Sequence, residues 1–155
     1  MKRIAVFSLI GFIFLCGSRV LAQDYRMALG IRLSSSDATL SNSISGKYFI
    51  TDRSAIEGLI SFGNRFGVGG LLEIHNPFAV PGFKWFYGGG VYVGNGGYEK
   101  SDNATYFGPK GIIGLDYKFP NIPLNLSLDF KPELDIIPAI TAHYAVALSV
   151  RFVVK

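Results

Sequence analysis

The chain has 155 residues, of which 49% are apolar and 17% charged, whereas about a quarter of the residues of an average soluble domain are charged. Its formal net charge is +4, and it falls to +1 without Lys2, Arg3 and Arg19 at the start of the chain. A nucleic-acid-binding face needs concentrated positive charge, so the balance argues against one. The single cysteine, Cys16, lies in the same leading segment, which leaves the rest of the chain without a disulfide framework.

The first 22 residues have the organisation of an export signal. Lys2 and Arg3 precede an apolar run from Ile4 to Cys16, and Val20-Leu21-Ala22 provides a small residue at the cleavage position. This order predicts a cleavable secretory signal over residues 1–22 and a mature chain that begins at Gln23. A transmembrane anchor is the alternative, but the apolar run is shorter than the roughly 20 residues that a spanning helix needs.

Eight later segments have the composition of β-strands, and most of them alternate apolar residues with small or polar ones, which is the period of an extended strand. In chain order they are residues 25–33, 43–50, 54–63, 67–75, 83–94, 106–118, 123–131 and 142–154. The pattern predicts an all-β fold over residues 23–155. We expect an eight-stranded antiparallel up-and-down transmembrane β-barrel with a side-chain-filled interior.

The connections between these segments alternate in length. Three are compact turns, namely Thr51-Asp52-Arg53, Asn76 to Gly82 and Phe119 to Ile122. Three are longer loops, namely Ser34 to Asn42, Asn95 to Thr105 and Pro132 to Thr141, whereas Asn64-Arg65-Phe66 is short where a long loop is expected. Short periplasmic turns and longer outer loops are typical of outer-membrane barrels, so both termini are expected in the periplasm.

The two faces of the predicted strands differ in polarity. The seventh strand separates Leu124, Leu126, Leu128 and Phe130 from Asn125, Ser127, Asp129 and Lys131. The fifth fits less well, because Phe86 and Tyr92 share a face with Lys84, Gly88 and Gly90. We expect the apolar face to point outward into lipid. A soluble lipocalin-like carrier, with that face turned inward around an apolar ligand, has the same alternation, so periodicity leaves both arrangements open.

Seven aromatic side chains fall near strand ends that the predicted topology places on the periplasmic side. They are Tyr25, Tyr48, Trp85, Tyr87, Tyr117, Phe119 and Phe152. Membrane barrels have an aromatic girdle at this level, because amphipathic rings favour the boundary between hydrocarbon and water. The ordinary preference of aromatic residues for strands is the alternative explanation.

Seven charged residues on the polar face fall in the predicted periplasmic half of the barrel. They are Arg26, Lys47, Glu57, Glu73, Lys84, Asp116 and Arg151. Eight strands leave an interior that side chains fill, and an isolated buried charge is too unstable to persist there. We therefore expect an interior charge network that closes the barrel to ions. Charges in bulk water at the barrel mouth are the alternative.

Two segments resemble a known family. Residues 45–58 (SGKYFITDRSAIEG) and 122–132 (IPLNLSLDFKP) are similar to segments of the small outer-membrane β-barrel proteins of the OmpX and OmpA transmembrane type. The resemblance implies insertion by the outer-membrane assembly machinery, which reads a C-terminal strand that usually ends in an aromatic residue. Here Phe152 is followed by Val153, Val154 and Lys155, so the chain departs from that pattern.

Residues for catalysis are sparse. The glycine-rich stretches lack phosphate-loop and dinucleotide spacing, and His75 and His143 have no partner at metal-ligand spacing. We predict no enzyme activity, no cofactor and no metal site. An outer-membrane enzyme that acts on the acyl chains of lipopolysaccharide is the alternative, and its one candidate group is His143 near Thr141 and Glu133.

The expected location is the outer membrane of a Gram-negative-type bacterium. The expected partners are outer-membrane lipid and lipopolysaccharide, together with the assembly machinery during insertion, and no nucleic acid. We expect a structural or surface-interaction role, of the adhesion or defence type, and not an open porin. The loops from Asn95 to Thr105 and from Pro132 to Thr141 would carry any surface contact, because loops on a rigid scaffold usually hold binding residues.

Overall fold

The computed structural model describes residues 25–35, 39–62, 65–96 and 104–154, so the predicted signal over residues 1–22 lies outside the described residues. The strands are β1 (Met27–Ser34), β2 (Ser43–Phe49), β3 (Ser54–Ser61), β4 (Arg65–Pro77), β5 (Phe83–Gly96), β6 (Ala104–Lys118), β7 (Leu124–Asp135) and β8 (Thr141–Val154). Each pairs antiparallel with the next and β8 pairs with β1, which closes the barrel. The predicted fold class is confirmed. No described segment forms a helix with the length and apolar character needed to cross a membrane.

The first and the last strand residues lie at the same end of the barrel, because Met27 at the start of β1 pairs with Val154 at the end of β8. We call this the terminal end and the opposite one the loop end. The turns after β2, β4 and β6 lie at the terminal end. In the first of them Thr51 Oγ1 accepts hydrogen bonds from the backbone N–H groups of Arg53 and Ser54, at 3.3 and 2.9 Å. In the second, Gly82 has a φ of 82°, which glycine adopts without steric penalty.

Strand length is uneven around the barrel. β1 to β3 have 7 or 8 residues, whereas β4 to β8 have 12 to 15. The short strands fall below the roughly nine to eleven residues that a membrane-crossing strand needs. Exposed apolar side chains continue past their ends, at Ile50 and Phe62, so the apolar surface is taller than the strands themselves.

β7 continues beyond its predicted end. The prediction placed Pro132 to Thr141 in a loop, but residues 132–135 belong to the strand. Gly111 is the residue of β6 beside the proline, and a Cβ there would lie only 3.3 Å from Pro132 Cγ. The proline ring is therefore accommodated in the wall. The extension carries Glu133 and Asp135 into the barrel, where both are buried.

The first loop does not lie wholly outside the barrel. The prediction placed Ser34 to Asn42 in an outer loop, but Thr39 and Leu40 are fully buried. Lys131 Nζ donates a hydrogen bond to the Leu40 carbonyl at 3.0 Å. A Cβ on Gly69 would lie 2.5 Å from Leu40 Cδ1, so this glycine leaves the space that the leucine occupies. The loop end is thus partly closed by the chain's own first loop.

Apolar side chains form two clusters inside the barrel. One lies at the terminal end and the other in the middle. The first contains Tyr25, Ala28, Phe49 and Ala55, and the second contains Leu40, Leu59, Leu71, Phe86, Tyr92 and Ile112. Phe86 and Tyr92 share the inner face of β5 with its glycines, which explains the irregular pattern of this strand. The glycines also permit close backbone contact, since a Cβ on Gly90 would lie 1.8 Å from the Gly70 carbonyl oxygen.

Candidate functional site

The outer surface of the barrel is apolar on every strand. On four different strands Ile31, Leu72, Val91 and Ile113 are each 52–54% exposed. An exposed apolar area of this extent marks contact with a membrane or a partner in a native protein. A soluble carrier places its apolar side chains inside around the ligand, so the arrangement seen here is the reverse of the one that the lipocalin-like alternative requires.

Most of the predicted aromatic girdle lies on the outer face toward the terminal end. Tyr48, Trp85, Tyr87 and Phe152 are exposed there, and the rings of Trp85 and Tyr87 stack with their centroids 5.5 Å apart. Tyr117 and Phe119 are half-buried and contact each other edge-on at 4.8 Å.

Tyr25 does not follow the prediction. Its side chain is buried inside the barrel, where its ring contacts the Phe49 ring at 5.2 Å and its hydroxyl lies 3.5 Å from Asp116 Oδ2. The reason is local, because the chain bends at Arg26, ahead of β1, and the alternation of the strand does not extend to these two residues. Tyr25 therefore turns inward and Arg26 turns outward.

Five of the seven charges predicted for the interior are buried together in the half of the barrel nearer the terminal end. We call them the lower network, which consists of Lys47, Glu57, Glu73, Asp116 and Arg151. Lys47 Nζ lies 2.8 Å from Glu73 Oε2 and 3.9 Å from Asp116 Oδ1. Because Lys47 is on β2, Glu73 on β4 and Asp116 on β6, the ion pairs connect strands that are not neighbours in the wall.

Arg151 has the most hydrogen bonds within the lower network. Its guanidinium forms an ion pair with Glu57, and its Nε and Nη1 atoms donate hydrogen bonds to Ser45 Oγ at 2.7 Å and Ser127 Oγ at 2.6 Å. The side chain is only 1% exposed. Charge-assisted bonds of this kind, made in a medium of low dielectric constant, are stronger than their equivalents at a surface.

The two remaining predicted charges are not fully buried. Arg26 is exposed, so its assignment to the interior is wrong, because the bend at this residue turns its side chain outward. Lys84 is half-buried near the terminal end, where its Nζ atom lies 5.4 Å from the centroid of the Phe49 ring. It lies opposite Asp116 of the lower network in the β5–β6 register.

A second charged group, which we call the upper network, continues the interior toward the loop end. Its members are Arg32, Lys110, Asp129, Lys131 and Glu133, and all are at most 4% exposed. Arg32 forms an ion pair with Asp129, and Lys131 Nζ lies 2.7 Å from Glu133 Oε1. Lys110 Nζ has no hydrogen-bond partner among the described residues. The prediction confined the network to the terminal half, whereas charges fill both halves.

At the loop end the side chains of Arg65, Tyr92 and His143 all contact Asp135. We call these four residues the rim cluster. Arg65 Nη1 lies 3.2 Å from Asp135 Oδ2, Tyr92 donates a hydrogen bond to Asp135 Oδ1 at 2.6 Å, and His143 Nε2 lies 3.0 Å from Oδ2. Glu133, the predicted neighbour of His143, lies opposite it in the β7–β8 register, but the hydrogen-bond partner of His143 is Asp135. Arg65 also donates to Thr39 Oγ1 at 3.0 Å, which fastens the first loop to the rim.

The described interior is balanced in charge. It buries six cationic and six anionic side chains. The cations are Arg32, Lys47, Arg65, Lys110, Lys131 and Arg151, and the anions are Glu57, Glu73, Asp116, Asp129, Glu133 and Asp135. Equal numbers of opposite charges leave these twelve buried side chains without a formal net charge, which limits the cost of burying them.

Comparison with known proteins supports the fold. A crystal structure of the N-terminal β-barrel domain of Pseudomonas aeruginosa OprF is similar to this chain, with a TM-score of 0.62 and 17% sequence identity. The match covers 83% of this chain and 97% of that one. No family model and no curated protein matches the sequence. The shared architecture is therefore established without a family assignment.

Proposed function

We propose that the chain is an integral outer-membrane β-barrel with a structural or surface-contact role, closed to ions and without catalytic activity. The observation that carries the proposal is the orientation of the side chains, which are apolar outside and charged inside. A wall with Ile31, Leu72 and Ile113 half-exposed suits acyl chains, and a closed barrel leaves no unpaired strand edge in hydrocarbon. The barrel of OprF, similar in fold, supports the same location.

The proposed topology places the terminal end in the periplasm and the loop end at the cell surface, because short turns face the periplasm in such barrels. The proposed partners are outer-membrane lipid and lipopolysaccharide, and the assembly machinery during insertion. Of the residues proposed for surface contact, those at 97–103 lie outside the described residues. Ile136, Ile137 and Ile140 are exposed beyond β7 and remain available for contact.

The lower and upper networks support closure to ions. An open porin has many more strands around a water-filled channel, whereas an eight-stranded barrel is filled by its side chains. Here Arg32, Lys47 and Arg151 are at most 1% exposed and paired with carboxylates. An ion that crossed would have to displace these pairs.

Cell fractionation and bilayer recordings test the proposal together. Expressed in a Gram-negative host, the full chain is expected in the outer-membrane fraction, to require detergent for extraction, and to migrate differently on gels before and after heating. In planar bilayers the purified barrel is expected to give no steady conductance, with a porin as the positive control. Release by osmotic shock would contradict the membrane location, and steady conductance would contradict the closed interior.

Lipid A mass spectra test the absence of catalysis. Cells that express the chain are expected to have the same lipid A species as cells that do not, and as cells that express His143→Ala. A new species that depends on His143 would make the barrel an acyl enzyme instead.

A further inference from the structure

The ladder between β6 and β7 is interrupted. It is continuous from Lys118↔Asn125 to Ile113↔Phe130, but beyond that point the pairs are Lys110↔Glu133 and the isolated bridge Phe107↔Ile137. The two neighbouring ladders, β5 with β6 and β7 with β8, are continuous over the same stretch. Among the described residues, this is the one seam of the barrel with missing pairs.

Two prolines account for the interruption. Pro109 on β6 and Pro132 on β7 lie on either side of the Lys110↔Glu133 pair and have no amide hydrogen to give to a ladder. In open sheets, prolines are confined to edges and bulges, but a closed barrel has no edge. The register also shifts, because two residues lie between Phe107 and Lys110, whereas three lie between Glu133 and Ile137, the partner of Phe107. This extra residue is a β-bulge.

A groove of about 280 Å³ lies over this seam. Its lining includes the outward-facing Pro109, Pro132, Leu134, Ala142 and Tyr144, together with Gly111 and the buried Lys110 and Glu133, and it is open along its outer side. The Tyr144 ring, 64% exposed, stacks on Phe130 with centroids 6.2 Å apart and borders the groove. Because Lys110 and Glu133 are at most 4% exposed, the accessible surface of the groove belongs to the apolar wall.

We infer that this recess, called the seam groove, binds one acyl chain of lipopolysaccharide. The inference rests on the proposed function, which surrounds the wall with lipid. Water is a poor occupant, because an ordered water needs two to four polar partners. The outward-facing side chains of the lining are apolar, apart from the Tyr144 hydroxyl, and the charged Lys110 and Glu133 are almost completely buried beneath them. An empty recess loses the dispersion contacts of its walls. A flexible hydrocarbon chain restores them.

The half of the wall in which the groove lies indicates which lipid can reach it. Ala142 is the second residue of β8, and Leu134 is next to the last residue of β7, so both lie near the loop end. The proposed topology puts this half of the wall in the outer leaflet, which lipopolysaccharide occupies. A phospholipid acyl chain from the inner leaflet would meet the opposite half of the wall.

Native mass spectrometry of the full-length barrel tests the inference. The protein is extracted in mild detergent from outer membranes, where lipid A and phosphatidylethanolamine occupy opposite leaflets, and is then stripped with excess detergent. We expect one retained lipid A per barrel. Ala142→Trp, which fills the groove, is expected to lower the retained fraction about tenfold, as the loss of a few buried methylene groups predicts.

Val68→Trp is the matched control, because Val68 is an outward residue of β4 outside the groove lining, and its retention is expected to equal that of the unmodified chain. The heat-dependent gel shift verifies that both variants fold. No retained lipid A, equal retention by Ala142→Trp, or preferential retention of phosphatidylethanolamine would overturn the inference. A barrel found in the outer-membrane fraction that retains no lipid A refutes the seam groove alone, whereas a chain released by osmotic shock refutes the proposed function.

Discussion

Replacing Glu57 by alanine is expected to lower the free energy of unfolding of the barrel by about 3–5 kcal/mol, the usual effect of leaving one partner of a buried ion pair uncompensated. Arg151 would lose its carboxylate partner while its guanidinium stays buried at 1% exposure. Ser45 and Ser127, which accept its other hydrogen bonds, are uncharged and do not balance the charge. Guanidinium-induced unfolding in detergent micelles measures the change.

Two further variants separate the effect of the uncompensated Arg151 charge on stability from the effect of changing the side chains themselves. Asp52→Ala removes an exposed carboxylate in the β2–β3 turn and is expected to change the stability by less than about 0.5 kcal/mol, as surface substitutions usually do. The double variant Glu57→Met/Arg151→Met removes both charges and is expected to recover most of the lost stability, because apolar residues often replace a buried pair without loss. A Glu57→Ala barrel as stable as Asp52→Ala would show that Arg151 is not held in a dry interior.

Leu40→Ala is expected to destabilise the barrel by about 2–5 kcal/mol, the range for deleting a buried leucine side chain. Leu40 is fully buried beside Leu59 and Leu71, although it belongs to a loop. The truncation also loosens the first loop, so protease cleavage within residues 35–41 is expected to become faster. Unfolding curves and limited proteolysis of the folded barrel measure the two effects.

Leu40→Met is the matched control, since a swap that conserves volume usually changes stability by less than about 1.5 kcal/mol. It is expected to behave like the unmodified barrel in both measurements. Equal stability and equal cleavage rates for the alanine and methionine variants would mean that the loop lies outside the barrel in solution.

The barrel could be predicted because most of its strands alternate apolar and polar residues with a period of two. The segment from Leu124 to Phe130 assigns one face to leucines and the other to polar groups, and the structure preserves that assignment. Short turns at Thr51 and Gly82 were also evident from their residue types. Closure then follows, because eight such strands leave two edges that must pair.

The interior pairing could not be predicted, because it depends on the stagger of the strands. Glu57 lies beside Lys47 in the β2–β3 register, yet its ion-pair partner is Arg151 on β8. Thr39 and Leu40 lie in a segment without any period, so alternation says nothing about their burial. The inward positions of Glu133 and Asp135 do continue the period of Asp129 and Lys131, but a proline in a sequence usually ends a strand, so Pro132 predicts a loop there.

Tyr25 and Arg26 are two residues for which the alternation of β1 predicts the wrong face. They precede the strand, and one bend in the chain exchanges the faces of both side chains. Periodicity is informative where ladder hydrogen bonds hold the chain extended, whereas beyond the strand a single bend, such as the one at Arg26, reverses it.

The central claim is that the apolar face of the strands meets hydrocarbon, and spin-label accessibility in lipid bilayers tests it most directly. Leu71 and Leu72 are adjacent on β4 and are 2% and 53% exposed. In a Cys16→Ser background, a nitroxide at Leu72→Cys is expected to be accessible to oxygen and protected from a water-soluble nickel chelate, one at Leu71→Cys to be protected from both, and one at Thr51→Cys to be accessible to nickel. A Leu72 label as accessible to nickel as the Thr51 label would contradict the account.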